Sequence, residues 1–344
     1  MMSERSVDVF CHCLPPEFCR AVERSVPRVP LMFPRAQKIR AMVDVDARLA
    51  LMDRFPGYQQ ILSLASPTVD DLAGPDVSPE LARVGNDAMA EMVRAHPSRF
   101  PGFVASLPLN NPAAAQIEAR RAIGDLGACG VQLYTSVNGR PLDRPEYLEI
   151  FALLAELRRP VWLHPIRPMR FADYPDEEVS KYDIWWSLGW PQETSVALVR
   201  LAFSGLFDRW PNLVVITHHV GGTLPLMEGR LGSGMELLGT RNPPEHADAV
   251  ATELREPLLA AVRRFYADTA SFGSQAAIEC GRAFFGVDHL LFGTDMPFDP
   301  EEGPAYVRDT LAAIRNMDLT EEQRHQVLCG NAERLLGLSP TGEA

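Results

Sequence analysis

Eight short apolar runs, rich in β-branched residues, recur along the chain, and this recurrence constrains its fold more than any other feature. They are Val7–Phe10, Gln60–Leu64, Gly102–Leu107, Gly130–Leu133, Val161–Leu163, Leu213–Thr217, Phe265–Asp268 and His289–Phe292. Each is too short for a helix and has the composition of a buried strand. Between most of them lie longer segments with apolar residues at i, i+3 and i+4: Pro79–Ala95, Pro112–Ile123, Pro145–Leu157 and Gln192–Phe207. Segments of that length and period are crossover helices between parallel strands. Eight strand–helix units in 344 residues predict an α/β fold, a (β/α)8 barrel. No repeat, low-complexity tract or serine-rich linker interrupts the pattern, and residues 1–344 read as one barrel domain. Longer insertions, roughly Val26–Asp44, Asn138–Arg144 and Arg167–Trp190, follow strands 1, 4 and 5. In this fold the loops after the strands build the active site, so all three are expected on the catalytic face.

Composition narrows the function. Hydrophobic residues are 46% of the chain, enough for one large core, and 33 basic against 45 acidic residues give a formal charge of −12. That field repels phosphate backbones and anionic lipid, which argues against nucleic acid and membrane surfaces as partners. No apolar stretch approaches the roughly 20 residues of a membrane span, and the start, MMSERSVDVF, lacks the apolar region of a secretory signal. A cytoplasmic protein is expected. The six cysteines form neither a disulfide framework nor a CxxC pair and read as buried thiols.

Polar residues that end apolar strands carry the chemistry. Strand 1 runs into His12, strand 5 into His164, strand 6 into His218 and His219, and strand 8 into Asp295. A single histidine of this kind is more often structural than functional, but four polar ends on one predicted face form a constellation. Imidazoles with a carboxylate give a mixed N/O ligand set suited to zinc, with manganese or iron as alternatives, and leave a position open for water. His218 and His219 are adjacent, so alternation lets only one face the barrel mouth unless the strand has already ended. His219 is the choice, because Gly221 and Gly222 permit a tight turn into a following helix. His218 then falls on the outer face or behind the site. His96, His246, His289 and His325 lie away from the predicted mouth.

Several further segments carry a resemblance: Arg48-Leu49-Ala50-Leu51-Met52-Asp53, Val161-Trp162-Leu163-His164-Pro165, Trp186 to Thr194, Phe207 to Leu213, His219 with its glycines, Leu291 to Pro297, and Gly330 to Leu338. Over nearly its whole length the chain resembles the amidohydrolase-related family typified by α-amino-β-carboxymuconate-ε-semialdehyde decarboxylase, γ-resorcylate decarboxylase and 5-carboxyvanillate decarboxylase. The resemblance implies that His12, His164 and Asp295 hold a divalent metal, and that His219 meets the metal-bound water or the substrate. It also implies that Arg48 and Trp186 line the substrate pocket, and that Arg230 reaches a neighbouring subunit's site in a homodimer. One position departs from the family. Relatives carry His-x-His or Glu-x-His at the end of strand 1, whereas this chain has Phe10, which cannot ligate. Alternation turns Cys11 and Cys13 away from the His12 face, so three protein ligands are expected, with the Phe10 ring facing inward beside them.

The reaction implied is metal-dependent, non-oxidative decarboxylation of a small aromatic or unsaturated carboxylate, with His219 and Asp295 handling the proton that replaces CO2. Hydrolysis of a C–C, lactone or amide bond is the alternative that the same centre supports, and a non-catalytic barrel is the reading from a different class.

Overall fold

The computed structural model describes residues 5–235, 241, 243–245 and 254–339. Eight parallel strands follow one another in chain order around a single sheet: β1 (Ser6–Cys13), β2 (Tyr58–Leu64), β3 (Gly102–Ser106), β4 (Gly130–Tyr134), β5 (Val161–His164), β6 (Val215–Thr217), β7 (Tyr266–Asp268) and β8 (Leu290–Leu291). The eight expected runs each supply one of them. β8 is the shortest, and the sheet closes largely through the residues beyond it: Val9 N donates to Phe292 O at 2.9 Å, Asp295 N to Phe10 O at 2.8 Å, and His12 N to Met296 O at 2.9 Å. The result is a nearly closed (β/α)8 barrel.

The interior is filled from alternate positions of the strands. Val7, Val9, Ile61, Val104, Trp162, Ile216 and Leu291 form one buried cluster there, while a larger one lies between the strands and the surrounding helices. The Trp162 indole N–H crosses the interior to donate to Val9 O at 2.8 Å, which satisfies a buried polar group and ties β5 to β1. β1 contains an irregularity. Asp8 pairs with Gln60 and Cys11 with Leu62, so Val9 and Phe10 together oppose Ile61 as in a β-bulge. Both then join the interior cluster. The bulge resets the alternation so that His12 faces inward, and Cys11 and Cys13 pack with the outer cluster, their thiols donating to Ile61 O and Ser63 O.

Three expected helices lie within one residue of their sequence limits: Ser78–Ala95, Pro112–Gly124 and Pro145–Leu157. The fourth differs. The helix begins earlier, at Gly189, and ends at Phe203; Gly205 then adopts φ 72° and a separate turn, Leu206–Arg209, follows. Apolar periodicity runs across that break, and the left-handed glycine ends the helix regardless. The three insertions sit at the C-terminal ends of their strands. The first folds into the short helices Met32–Gln37 and Arg40–Val43, the second into a hairpin of Ser136–Val137 with Arg140–Pro141, and the third holds the single turn Ile184–Ser187.

The first residue of β4 has no room for a side chain: a Cβ on Gly130 would lie 2.2 Å from Pro160 O and 2.8 Å from Trp162 Cζ3. Neither a backbone carbonyl nor an enclosed indole can yield easily. Gly130→Ala is expected to cost about 1–3 kcal/mol of stability, read as a lower urea midpoint.

Candidate metal centre and active site

Four imidazoles and one carboxylate meet at the C-terminal end of the barrel. His12 ends the inward face of β1, and His164 is the last residue of β5. β6 stops at Thr217, so the period-two alternation that would separate His218 from His219 no longer applies. His218 keeps an extended backbone and donates its N–H to Leu163 O at 3.1 Å, whereas His219 and Val220 turn left-handed at φ 53° and 58°. Consequently both rings point to the site, stacked at 3.8 Å between centroids. The placement of His218 on the outer face is thereby corrected: it is fully buried at the heart of the cluster. The glycines do permit the tight turn, which is itself the 3-10 turn His219–Gly221, but a second 3-10 turn, Pro225–Met227, follows in place of a regular helix.

Every imidazole is anchored through Nδ1. Ser63 Oγ donates to Cys11 O at 3.0 Å and so accepts from His12 Nδ1, also at 3.0 Å. His164 Nδ1 donates to Pro165 O at 2.6 Å, His219 Nδ1 to Ala270 O at 3.0 Å, and His218 Nδ1 to the Asp268 carboxylate. These bonds leave each Nε2 free to face the centre, as in histidines that bind metal. The Nε2 atoms of His12 and His218 lie 3.1 and 3.4 Å from Asp295 Oδ1, out of line for a hydrogen bond, and both remain buried without a partner. Two orphaned nitrogens converging on one carboxylate oxygen fit a cation. Ligand atoms of His12, His164 and His218 lie within 4.8 Å of one another, as do those of His218, His219 and Asp295.

At His12, His164 and Asp295 electrostatics agree with that fit. Burial drives the His164 ring well below its ordinary value, assisted by its His218 and His12 neighbours, and burial likewise lowers His12 against the pull of Asp295. His219 falls to about 4, through burial and the nearby His218. Burial also opposes charge on His218, but Asp268 and Asp295 outweigh it and lift the ring to about 9. Burial works against the Asp295 charge as well, yet the His12 and His218 rings hold that carboxyl far below its usual range. Neutral rings at His12 and His164 beside a fixed carboxylate form a donor set for a divalent cation.

Above the cluster opens a cavity of about 580 Å3. His219 and Asp295 reach its wall, and Trp186, Trp190, Phe272 and Phe298 make it aromatic. Arg35 and Asp183, from the first and third insertions, pair at 3.1 Å where they line it. Trp186 thus stands in the pocket. Arg48 does not line this cavity: it is buried behind β1, with Nε donating to Ala41 O at 3.0 Å, Nη1 to Gln60 Oε1 at 2.8 Å, and Nη2 to the carbonyl oxygen of His12. The expectation of a substrate-binding arginine at 48 is corrected to a residue that braces His12. Arg230 is exposed and also outside the lining among the described residues. His246 lies outside the described residues. His325 groups with Cys329 and Glu333, but Glu333 is held by Arg5 at 2.5 Å.

Two contributors escaped the sequence reading. Asp268, at the end of β7, accepts from His218 Nδ1, from Val220 N at 3.0 Å and from Ala270 N at 3.2 Å. The rule that found His12, a polar residue ending an apolar strand, selects Asp268 too. Asp8 accepts from Thr294 N at 3.1 Å, from Thr294 Oγ1 at 2.5 Å and from Tyr58 Oη at 2.5 Å, holding the turn that presents Asp295 at φ 66°.

The barrel and this centre define a (β/α)8 enzyme built around a divalent cation. The Amidohydrolase family profile matches residues 8–338, and the chain belongs to that family. A gamma-resorcylate decarboxylase from Rhizobium sp. (strain MTP-10005) is 34% identical over 318 residues, 85% of this chain and 87% of that protein. The crystal structure of 5-carboxyvanillate decarboxylase from Sphingomonas paucimobilis, 26% identical, superposes with a TM-score of 0.82 and covers 98% of this chain and 100% of its own. A dihydroxybenzoic acid decarboxylase from Polaromonas sp. JS666, solved with bound manganese and the inhibitor 2-nitroresorcinol, is 26% identical, with a TM-score of 0.75 and 97% of both chains covered.

If Arg48 braces His12, its loss is felt without substrate. Arg48→Met should lower the stability of the metal-free protein by about 2 kcal/mol or more, because three buried acceptors lose their donor, and should weaken metal retention. Unchanged urea unfolding of that variant would return Arg48 to a role in substrate binding alone.

Proposed function

We propose that the protein is a divalent-metal-dependent, non-oxidative decarboxylase of a small aromatic carboxylate, with His12, His164 and Asp295 among the metal ligands. The observation that carries this reading is an aromatic-walled cavity in which two of the polar wall residues, His219 and Asp295, belong to the buried cluster of imidazoles and carboxylate. The names of the relatives point the same way. Zinc is the first choice for this nitrogen-rich set, with manganese, present in the Polaromonas neighbour, or iron next. When bound, the cation would supply Lewis-acid binding of the substrate's carboxylate and an adjacent oxygen.

The chain's own residues account for the rest. Trp186 and Phe298 flank a flat ring and exclude water from it. His219, neutral and fixed through Nδ1 to Ala270 O, turns Nε2 to the cavity as an acceptor for a substrate hydroxyl. As the bond between ring carbon and carboxylate breaks and CO2 leaves, that carbon must gain a proton. Asp295 is the carboxyl at hand: ionised at rest, it would first take a proton from a water molecule or from the substrate's hydroxyl and then pass that proton to the ring carbon. The homodimer belongs to the same reading, since Arg230 is exposed and follows closely on Leu226, which lines the cavity.

Purified protein incubated with a panel of hydroxybenzoates is expected to release one CO2 per substrate consumed, to lose activity to a chelator and to regain it with zinc or manganese. Asp295→Asn should lower turnover by about a thousandfold or more. Absence of CO2, together with oxygen from labelled water appearing in a product, would make the protein a hydrolase instead.

A further inference from the structure

Phe10 stands two residues before His12 on the inward face of β1, where a phenyl ring has no donor to offer. The ring of His218 lies flat upon it, with centroids 4.1 Å apart and planes 14° from parallel. The face of Phe10 is therefore covered by an imidazole that comes from another strand. A ring nitrogen of that imidazole lies within 4.8 Å of ring nitrogens of His12 and His164, and its Nε2 is 3.4 Å from Asp295 Oδ1.

We propose that His218 supplies the metal ligand that Phe10 cannot, so that His12, His164, His218 and Asp295 together hold the cation, and that Phe10 is the platform fixing the plane of the His218 ring. The inference rests on the metal-dependent reading above and adds a ligand to it. Three observations carry it. The His218 Nε2 is buried, makes no aligned hydrogen bond and faces a carboxylate oxygen, Asp295 Oδ1, at 3.4 Å, so two groups that can donate an electron pair look into one space. Nδ1 is held by Asp268, and that carboxylate is itself fixed by two backbone N–H groups, the arrangement that orients a ligand histidine. Room for Asp268 is secured by Gly293, where a Cβ would fall 2.8 Å from Asp268 Cβ.

The adjacent histidines thereby divide the work. His218, fully buried, faces the cation; His219, turned left-handed, faces the cavity. A donor placed at position 10 and the imidazole at 218 would serve the same centre, so a double substitution can exchange one for the other.

The test measures cobalt(II) and zinc(II) affinity by competition with a chelator, together with the visible spectrum of the cobalt protein and thermal unfolding of the metal-free form. Wild type should bind one ion per chain, and His12→Ala should lose it. If those two results fail, the metal reading fails and the His218 assignment goes with it. If they hold, His218→Ala should weaken binding by at least about a hundredfold and change the cobalt spectrum, whereas His219→Ala should stay within about tenfold. Phe10→His in the His218→Ala background should recover at least about tenfold, which repacking alone would not do. Should His218→Ala fail to fold, the cobalt-loaded wild type labelled with 15N-histidine decides: three paramagnetically shifted ring N–H signals are expected. Wild-type affinity in a folded His218→Ala protein, or only two shifted signals, would overturn the assignment.

Discussion

The seam between β1 and the residues after β8 is the contact on which the rest depends. It closes the barrel through Val9 N to Phe292 O and Asp295 N to Phe10 O, and in the same few residues it sets His12 and Asp295 side by side. Asp8 reinforces the seam from the outer side, with both carboxylate oxygens on Thr294 and one also on Tyr58. Through Gln60, whose Nε2 donates to Tyr58 Oη at 3.1 Å and whose Oε1 accepts from Arg48, the relay extends to the buried cation that braces the His12 carbonyl. Burial pushes the Asp8 carboxyl up to about 7 even though Thr294, Tyr58 and Phe10 N donate to it, and both it and Arg48 spend their hydrogen bonds on the scaffold, none of them in the cavity.

Much of this was legible in the sequence because the signals are local. Short apolar runs with helices between them name the barrel, and a polar residue at the end of such a run names a residue at the mouth; His12, His164 and Asp295 follow from that rule. Alternation along β1 correctly turned Cys11 and Cys13 outward, although the bulge at Val9 and Phe10 could not be read from a single strand. The same rule failed at His218, because β6 ends one residue before it and the left-handed turn at His219 and Val220 undoes the period of two. A strand's end is set by tertiary packing, here by Asp268 gripping Val220 N, and no local signal carries it. Arg48 shows a different limit: an arginine near a pocket in sequence can spend all its contacts on the scaffold behind it.

The aromatic walls of the cavity are carried by other segments than the centre beneath. Arg35 and Phe272, Trp186 and Phe298 come from loops after four different strands, whereas the histidines stand at or just beyond strand ends and are fastened to backbone carbonyls, Ser63 and Asp268. Changes in the insertions can reshape what the cavity accepts without disturbing the ring nitrogens below, which is the general strength of this fold.

The order of the proposed ligands along the chain has a consequence in time. His12 belongs to the first strand and Asp295 to the turn after the last, so the centre cannot be complete on a chain still emerging from the ribosome. An incomplete chain holds imidazoles but not the carboxylate that gathers them, and its affinity for a cation is correspondingly poor. On the proposed ligand set, metal capture waits for closure of the barrel, and a truncated product lacking the final strand is left without the carboxylate.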